Sequence, residues 1–278
     1  MGGRVSIIIP THDRPLALAR AAVSALRQTH NDIEVIVVDD GSEPPVDPER
    51  GGFADPRLIV LRNDRAMGGA AARNRGLAAA TGRWVTFLDD DDALAPTMLV
   101  SALAAIDISH LPPPVAALTA VEVVDEAGAS LNIRRAPTLT RGHILGLDPL
   151  PRGTSPFTKQ SLVIRRDLLL SIGGFDETLG SRLHTELFLR LGPLCSLQGV
   201  ADAGYLLTEH QGTRVSGDAA VRKRSFRQIV RKHRRLLWRK RKGFVQLVTW
   251  HANACRRKGM FGEYLKARLF ARVIRMFA

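Results

Sequence analysis

Short apolar runs that end in polar turns alternate with helically spaced ones over the first ninety residues. Val5 to Pro10 (VSIIIP) and Ile33 to Val38 (IEVIVV) are β-branched runs, the pattern of buried parallel strands. Between them, Leu16, Ala19, Val23 and Leu26 recur at helical spacing within Pro15 to Gln28, which predicts a strand-helix-strand unit. Leu58 to Leu61 predicts a third strand, Gly69 to Ala80 a helix of small residues, and Trp84 to Leu88 a fourth strand. In open α/β sheets, ligands bind beyond the carboxyl ends of the strands. Thr11, Asp13, Asp39, Asp40 and Asp89 to Asp92 fall at those ends.

The run Asp89-Asp90-Asp91-Asp92 directly follows the fourth strand. Adjacent like charges repel one another, so the run asks for a cation or a metal-bound phosphate to neutralise it. Hard divalent ions such as Mg²⁺ or Mn²⁺ take oxygen ligands, and Mg²⁺ commonly combines one or two carboxylates with substrate phosphates. A nucleoside diphosphate with its metal is therefore the expected ligand. The plainer alternative is a solvated acidic turn at the start of the next helix. A dinucleotide fold would need Gly-x-Gly-x-x-Gly after the first strand, where this chain reads PTHDRP, and no Gly-x-x-x-x-Gly-Lys-Ser/Thr loop is found. The nucleotide must then be held by side chains and metal.

Four ordered blocks, VSIIIPTHDRP at 5–15, EVIVVDDGS at 34–42, ARNRGLAAATGRWVTFLDDDD at 72–92 and GGFDETL at 173–179, together resemble the family 2 glycosyltransferases. The resemblance implies the GT-A fold: an α/β single domain with a mostly parallel central sheet flanked by helices. It also implies a metal-dependent, inverting transfer of a sugar from a nucleotide-sugar, expected to be a UDP-sugar, to an acceptor hydroxyl. Pro10, Thr11, Asp39, Arg73, Asp89 and Asp90 stand at nucleotide-sugar positions. Asp39 matches the contact to the base, suited to accepting from a uracil imide N–H, and Arg73 a contact to base or phosphate. Asp40 reads instead as a turn residue before Gly41. Asp89 and Asp91 are the outer members of a DxD motif, expected on Mn²⁺ or Mg²⁺. His210 matches a further metal position, and imidazole would favour manganese; Arg214 and Ser216 in the same loop are weaker candidates for the leaving diphosphate.

The family pattern usually continues after GGFDE with a Glu-Asp pair whose Asp removes the acceptor proton. Here Leu183 and His184 hold those positions. His184 can serve as a general base, because an imidazole titrates near pH ~6.5, although a lone helical His is often structural. Glu186 competes for the role but lies about 200° round a helix. Asp176 and Glu177 are expected to orient the turn or the acceptor. The second reading is a catalytically impaired nucleotide-sugar-binding or scaffold protein on the same fold.

Charge divides the chain. From Val221 to Ala278 there are 19 Lys/Arg against one acidic residue, Glu263; the whole chain stands at +13, leaving residues 1–220 at −5. Phe226, Ile229, Leu236, Leu237, Trp238 and Phe244 are interleaved with these cations, which predicts amphipathic basic helices. Such helices can lie in an anionic membrane surface, the reading favoured here, or pack their apolar face on the catalytic domain. Nucleic acid is an unlikely partner, as no recognised binding motif accompanies the charge.

The expected organisation is a glycosyltransferase domain over 1–218, with a nucleotide-sugar half at 1–110 and an acceptor half at 111–218, followed by a basic helical appendage at 219–278. LPPPV at 111–115 marks the loop between the halves. No apolar stretch approaches the ~20 residues that span a bilayer, and the first strand begins almost at once, which predicts a cytoplasmic protein, peripheral on the membrane's inner face. Cys195 and Cys255 suggest neither a disulfide framework nor a metal site.

Overall fold

The computed structural model describes residues 2–209 and 218–276. Strands β1 (Val5–Thr11), β2 (Ile33–Asp39), β3 (Leu58–Arg62) and β4 (Trp84–Phe87) alternate with helices α1 (Pro15–Leu26), α2 (Pro48–Gly51) and α3 (Gly69–Ala79). There follow β5 (Ala93–Leu94), α4 (Met98–Asp107), β6 (Val115–Val124), β7 (Ser130–Arg134), a 3-10 turn at Lys159–Ser161, β8 (Leu162–Arg165), α5 (Arg166–Ser171), α6 (Leu183–Leu191) and β9 (Ser196–Thr208). The chain then turns helical: α7 (Ala219–Lys232), α8 (Arg234–Arg239), α9 (Arg241–Arg257) and α10 (Phe261–Arg275).

The strands form one sheet in the order β3-β2-β1-β4-β8-β6-β9-β5, with β7 paired to β6. The first four are mutually parallel, β6 and β9 run with them, and β8, β7 and β5 run against them. The mixed α/β architecture is the expected one. β1 and β2 are buried along their whole length, on both faces, because helices cover both sides of the sheet. Val5, Ile7 and Ile9 pack with α1 and α4, whereas Ile8 points to the other layer with α3, α5 and α6. At Gly76 a Cβ would meet Ile8 and Val38, so the small residues of α3 let its backbone lie directly on the sheet.

Each of the first two strands runs one residue beyond its apolar pattern. Thr11 and Asp39 are the last paired residues, opposite one another in register, so polar side chains are fixed by the sheet ladder and not by a loose turn.

The C-terminal helices share a core with the rest of the molecule. Ile144, Leu147, Leu179 and Leu189 pack with Phe226, Ile229, Leu237, Phe244 and Val248. A Cβ on Gly243 would overlap the backbone of Leu147, so α9 presses against that segment without a side chain between them. Ion pairs reinforce the contact: Lys232 to Asp176 at 2.6 Å and Lys240 to Asp148 at 2.8 Å.

Candidate active site

The carboxyl ends of β1, β2 and β4 open into a cleft of about 1080 Å³. Pro10, Thr11, Arg73 and Asp89 to Asp91 line it from the sheet edge. Lys159, Arg182 and His184 line it from the segments around α6, and Arg222, Trp250 and Arg257 from α7 and α9. Residues from both ends of the chain therefore meet across one opening.

The four carboxylates are not equivalent. Arg73 pairs with Asp89, and its guanidinium also donates to the Gly69 carbonyl at 2.8 Å. Asp90 accepts from the Thr11 hydroxyl at 2.8 Å, while one Arg14 nitrogen bridges Asp90 and Asp91, both at 3.1 Å. Arg14 reaches them because it is the N-cap residue of α1, directly after Asp13, whose φ of 53° turns the chain sharply. Burial raises the Asp90 carboxyl above the usual range against the pull of Thr11 and Arg14. Arg14 itself is held on its charged side, burial being outweighed by Asp90 and Asp91. Asp92 is withdrawn from the cleft and accepts from the Tyr205 hydroxyl and the Thr208 amide, both at 2.9 Å. Burial, then Asp89 and Asp91, push its carboxyl well above the usual range.

Part of the charge that the sequence left uncompensated is thus met by Arg14 and Arg73. Among the described residues, Asp89, Asp91 and Asp92 can bring carboxylate oxygens within 4.8 Å of one another. Such an all-oxygen, like-charged set fits a hard divalent cation.

Asp39 is fully buried, and both of its oxygens are engaged: Oδ1 by the Ser42 amide at 2.8 Å, Oδ2 by the Val46 amide at 3.1 Å and Arg62 at 2.6 Å. Burial opposes its charge, yet these donors hold its carboxyl below the usual range. Asp40, read as a turn residue, does line the cleft, where it accepts from Asn63 and from the Met67 and Gly68 amides. It fixes the loop that starts α3.

On the opposite side His184 sits in the first turn of α6, edge-on to Phe175 with ring centroids 5.4 Å apart. Burial and the nearby Arg73 and Lys159 lower it to about 4, against a smaller opposing effect of Asp89, so the ring is neutral at ordinary pH. Glu186 is turned away and enclosed, bonded to Arg190, to His233 at 2.9 Å and to Lys232 at 2.8 Å. Burial works against its charge, but His233, Arg190 and Lys232 lower it to about 2. The two motif blocks around the cleft are joined by Asn74, whose amide accepts from Phe175 N–H at 2.8 Å and donates to the Phe175 carbonyl and to Glu177.

His210, Arg214 and Ser216 lie outside the described residues. Arg14, Tyr205 as the partner of Asp92, and the C-terminal wall were not marked by the sequence reading. Arg14 had one available signal, a cation in the turn that the sheet topology places beside the acidic run.

Residues 6–112 match the model of the family described as Glycosyl transferase family 2. A pre-mycofactocin glycosyltransferase of Mycobacterium tuberculosis is 34% identical over 191 residues, 67% of this chain and 38% of that protein. The succinoglycan biosynthesis protein ExoO of Rhizobium meliloti is 28% identical over 221 residues, 75% of this chain and 62% of that protein. A UDP-Glc:alpha-D-GlcNAc-diphosphoundecaprenol beta-1,3-glucosyltransferase, WfgD of Escherichia coli, is 39% identical over 88 residues, 32% of this chain and 35% of that protein. The chain thus spans less than two thirds of the length of each of these relatives. Among solved structures, S. aureus TarS 1-349 in complex with UDP-GlcNAc superposes with a TM-score of 0.71 at 20% identity, covering 95% of this chain and 79% of that one.

Proposed function

Since the chain belongs, through residues 6–112, to glycosyl transferase family 2, we propose that it moves a sugar from a UDP-sugar to an acceptor hydroxyl with inversion at the anomeric carbon. The observation that carries this reading is the meeting, in one cleft, of the Asp89 and Asp91 carboxylates and Arg73 on one side with a neutral His184 on the other, Asp92 standing behind the two carboxylates. Uridine is supported by two similar proteins, WfgD, whose name gives UDP-Glc, and TarS, solved in complex with UDP-GlcNAc. Asp89 and Asp91, with Asp92 behind them, would hold Mn²⁺ or Mg²⁺, which supplies positive charge to the departing diphosphate. Arg73 orients Asp89 and faces the phosphates, and Thr11 and Pro10 border the nucleoside. Asp39 reads a uracil imide only by exchanging one of its present donors; Arg62, whose side chain is 32% exposed, is the side-chain donor among them and is also held by the Ser42 carbonyl and Glu43.

His184 takes the proton of the acceptor hydroxyl as the oxygen attacks the anomeric carbon. Its lowered basicity, about 4, is that of an ordinary aspartate, near ~3.9. The imidazole is thus neutral at ordinary pH and able to accept that proton.

The test is calorimetric titration of UDP, with and without Mn²⁺, against wild type and Asp91→Ala. The expected result is metal-dependent binding that the substitution abolishes. If no nucleoside diphosphate binds wild type, the reading is overturned.

The outer helix supports a reading of where the protein works. α10 leaves Phe261, Leu265 and Leu269 each 64% exposed and Met276 80% exposed along one stripe, and exposed Arg268, Arg272 and Arg275 flank it. No described helix is long and apolar enough to cross a membrane. An apolar stripe edged by cations suits the surface of an anionic bilayer, with roughly 1 kcal/mol from each nearby Lys or Arg. We infer peripheral attachment there, close to a lipid-linked acceptor of the kind that WfgD's name describes. Sedimentation with phosphatidylglycerol vesicles should carry the protein down at low salt and fail for Leu265→Glu/Leu269→Glu; equal recovery of both proteins in the supernatant would refute attachment.

A further inference from the structure

The wall of the cleft formed by the 3-10 turn, the start of α6 and helices α7 and α9 is cationic, and the donor reading does not use it. Lys159 is only 8% exposed, and its ammonium donates to the Pro156 carbonyl at 2.9 Å. It lies against the turn at Gly146, where an added Cβ would come within 3.5 Å of its Nζ and 3.7 Å of Trp250 on α9. Among the described residues no carboxylate pairs with it. Burial, and then Arg182, lower it to about 8, so it remains mostly protonated at neutral pH.

Arg182 stands beside it with the same deficit. Its Nε is buried without a hydrogen-bond partner, its Nη2 faces His251 Nδ1 at 3.1 Å, and its guanidinium lies over the Phe226 ring at 5.3 Å. Burial and the neighbouring Arg222 lower even this guanidinium to about 10. Arg182 is also the N-cap of α6, in a left-handed conformation at φ 61°, and no side chain caps the helix there. The acidic residue of that first turn, Glu186, is committed to Arg190, Lys232 and His233. The other acids near the wall are occupied too: Asp218 accepts from the Ala220 and Val221 amides, and Glu177 from Asn74.

Buried cations without counter-charges are costly, and an uncapped helix N-terminus flanked by a guanidinium and an ammonium is the chemistry that holds phosphate. Lys159 is buried and Arg182 is half-buried with its Nε enclosed; among the described residues neither has a carboxylate partner, and the helix end is an independent contribution. His184 is within electrostatic reach of Lys159, so an anion held here lies next to the proposed base.

We propose that Lys159, Arg182 and the N-terminus of α6 form a phosphate subsite for the acceptor, whose receiving hydroxyl lies close to its own phosphate group. The assignment to the acceptor rests on the glycosyl-transfer reading; the phosphate site itself rests on these residues alone.

The experiment is titration of inorganic phosphate and of glycerol phosphate into protein saturated with UDP and Mg²⁺, followed by calorimetry, for wild type, Lys159→Met and Arg182→Gln. Binding should weaken about tenfold or more in each variant, with UDP affinity unchanged within twofold. Because buried positions can disturb folding, Arg257→Ala on the exposed lip of the same wall is included, with about a threefold loss expected. Equal phosphate affinity in wild type and all variants overturns the proposal, as does displacement of phosphate by UDP, which would assign the cations to the donor. Competition by phosphatidylglycerol vesicles, but not by glycerol phosphate, identifies a lipid headgroup as the source; the reverse identifies a soluble phosphate. If UDP does not bind at all, the transfer reading fails, and the same titration on nucleotide-free protein still decides the subsite.

Discussion

His184 carries the sharpest prediction at the scale of single residues. Removing a general base typically costs 10²- to 10⁴-fold in rate, so His184→Ala should lower kcat by that order while leaving UDP affinity unchanged. Because burial and nearby cations lower the imidazole to about 4, the acidic limb of the rate profile should fall near pH 4, with activity lost as the ring protonates below it, and not near the ordinary ~6.5. His184→Asp should recover part of the activity, since the replaced group has an ordinary aspartate's basicity; a variant as inactive as Ala would remove the argument from basicity. The acidic run was legible as a concentration of charge at a strand end that asks for compensation, because four carboxylates in sequence cannot hide from one another. Which of them faces outward was not. That depends on Tyr205, which lies 113 positions from Asp92 and meets it only after β9 has joined the sheet. Arg14 was hidden for a similar reason, since its reach to Asp90 and Asp91 comes from the left-handed turn at Asp13.

Among elements, the α6–α7 contact depends on one carboxylate. Glu186 is fully buried and collects Arg190, Lys232 and His233. Removing one member of a buried charge cluster costs about 3–5 kcal/mol, so Glu186→Gln should lower the denaturation midpoint markedly, as thermal unfolding would report. Its pKa is lowered in the folded state to about 2. That contribution is therefore fully present above the unfolded value of ~4.3 and is lost as the pH falls towards 2, which unfolding curves at pH 7 and pH 3 should separate. Apart from the one-turn α2, the strands and helices of the first ninety residues were readable to within about two residues, because β1 and β2 are apolar on both faces and α3 is small enough to lie on them. From Ala93 to Arg152 the sequence offered no comparable regularity. There β6 pairs with β7, β8 and β9, partners brought from up to 84 positions away, as for Val124 and Thr208, and local periodicity does not encode such pairings.

For the whole molecule, the basic tail was visible as composition, but its docking was not, because composition does not specify which apolar face meets which. Removing residues 219–276 would uncover Ile144, Leu147, Leu179 and Leu189 together. The truncated protein should aggregate or lose its cooperative transition, which light scattering during a thermal ramp would detect; a soluble, cooperatively folding fragment would show that the helices are an appendage. Wild type and Asp91→Ala should share the same transition without metal, since Asp91 lies at the cleft and outside the three apolar clusters. Arg73 and Asn74 are consecutive on α3, yet the first grips Asp89 and the second clamps the Phe175 to Glu177 turn that leads to His184. On the proposed transfer reading, a nucleotide that shifts Arg73 is expected to move the Phe175 to Glu177 turn with it. In steady-state terms, the two substrates should bind in a compulsory order, nucleotide-sugar first, and a dead-end acceptor analogue should inhibit uncompetitively against the donor.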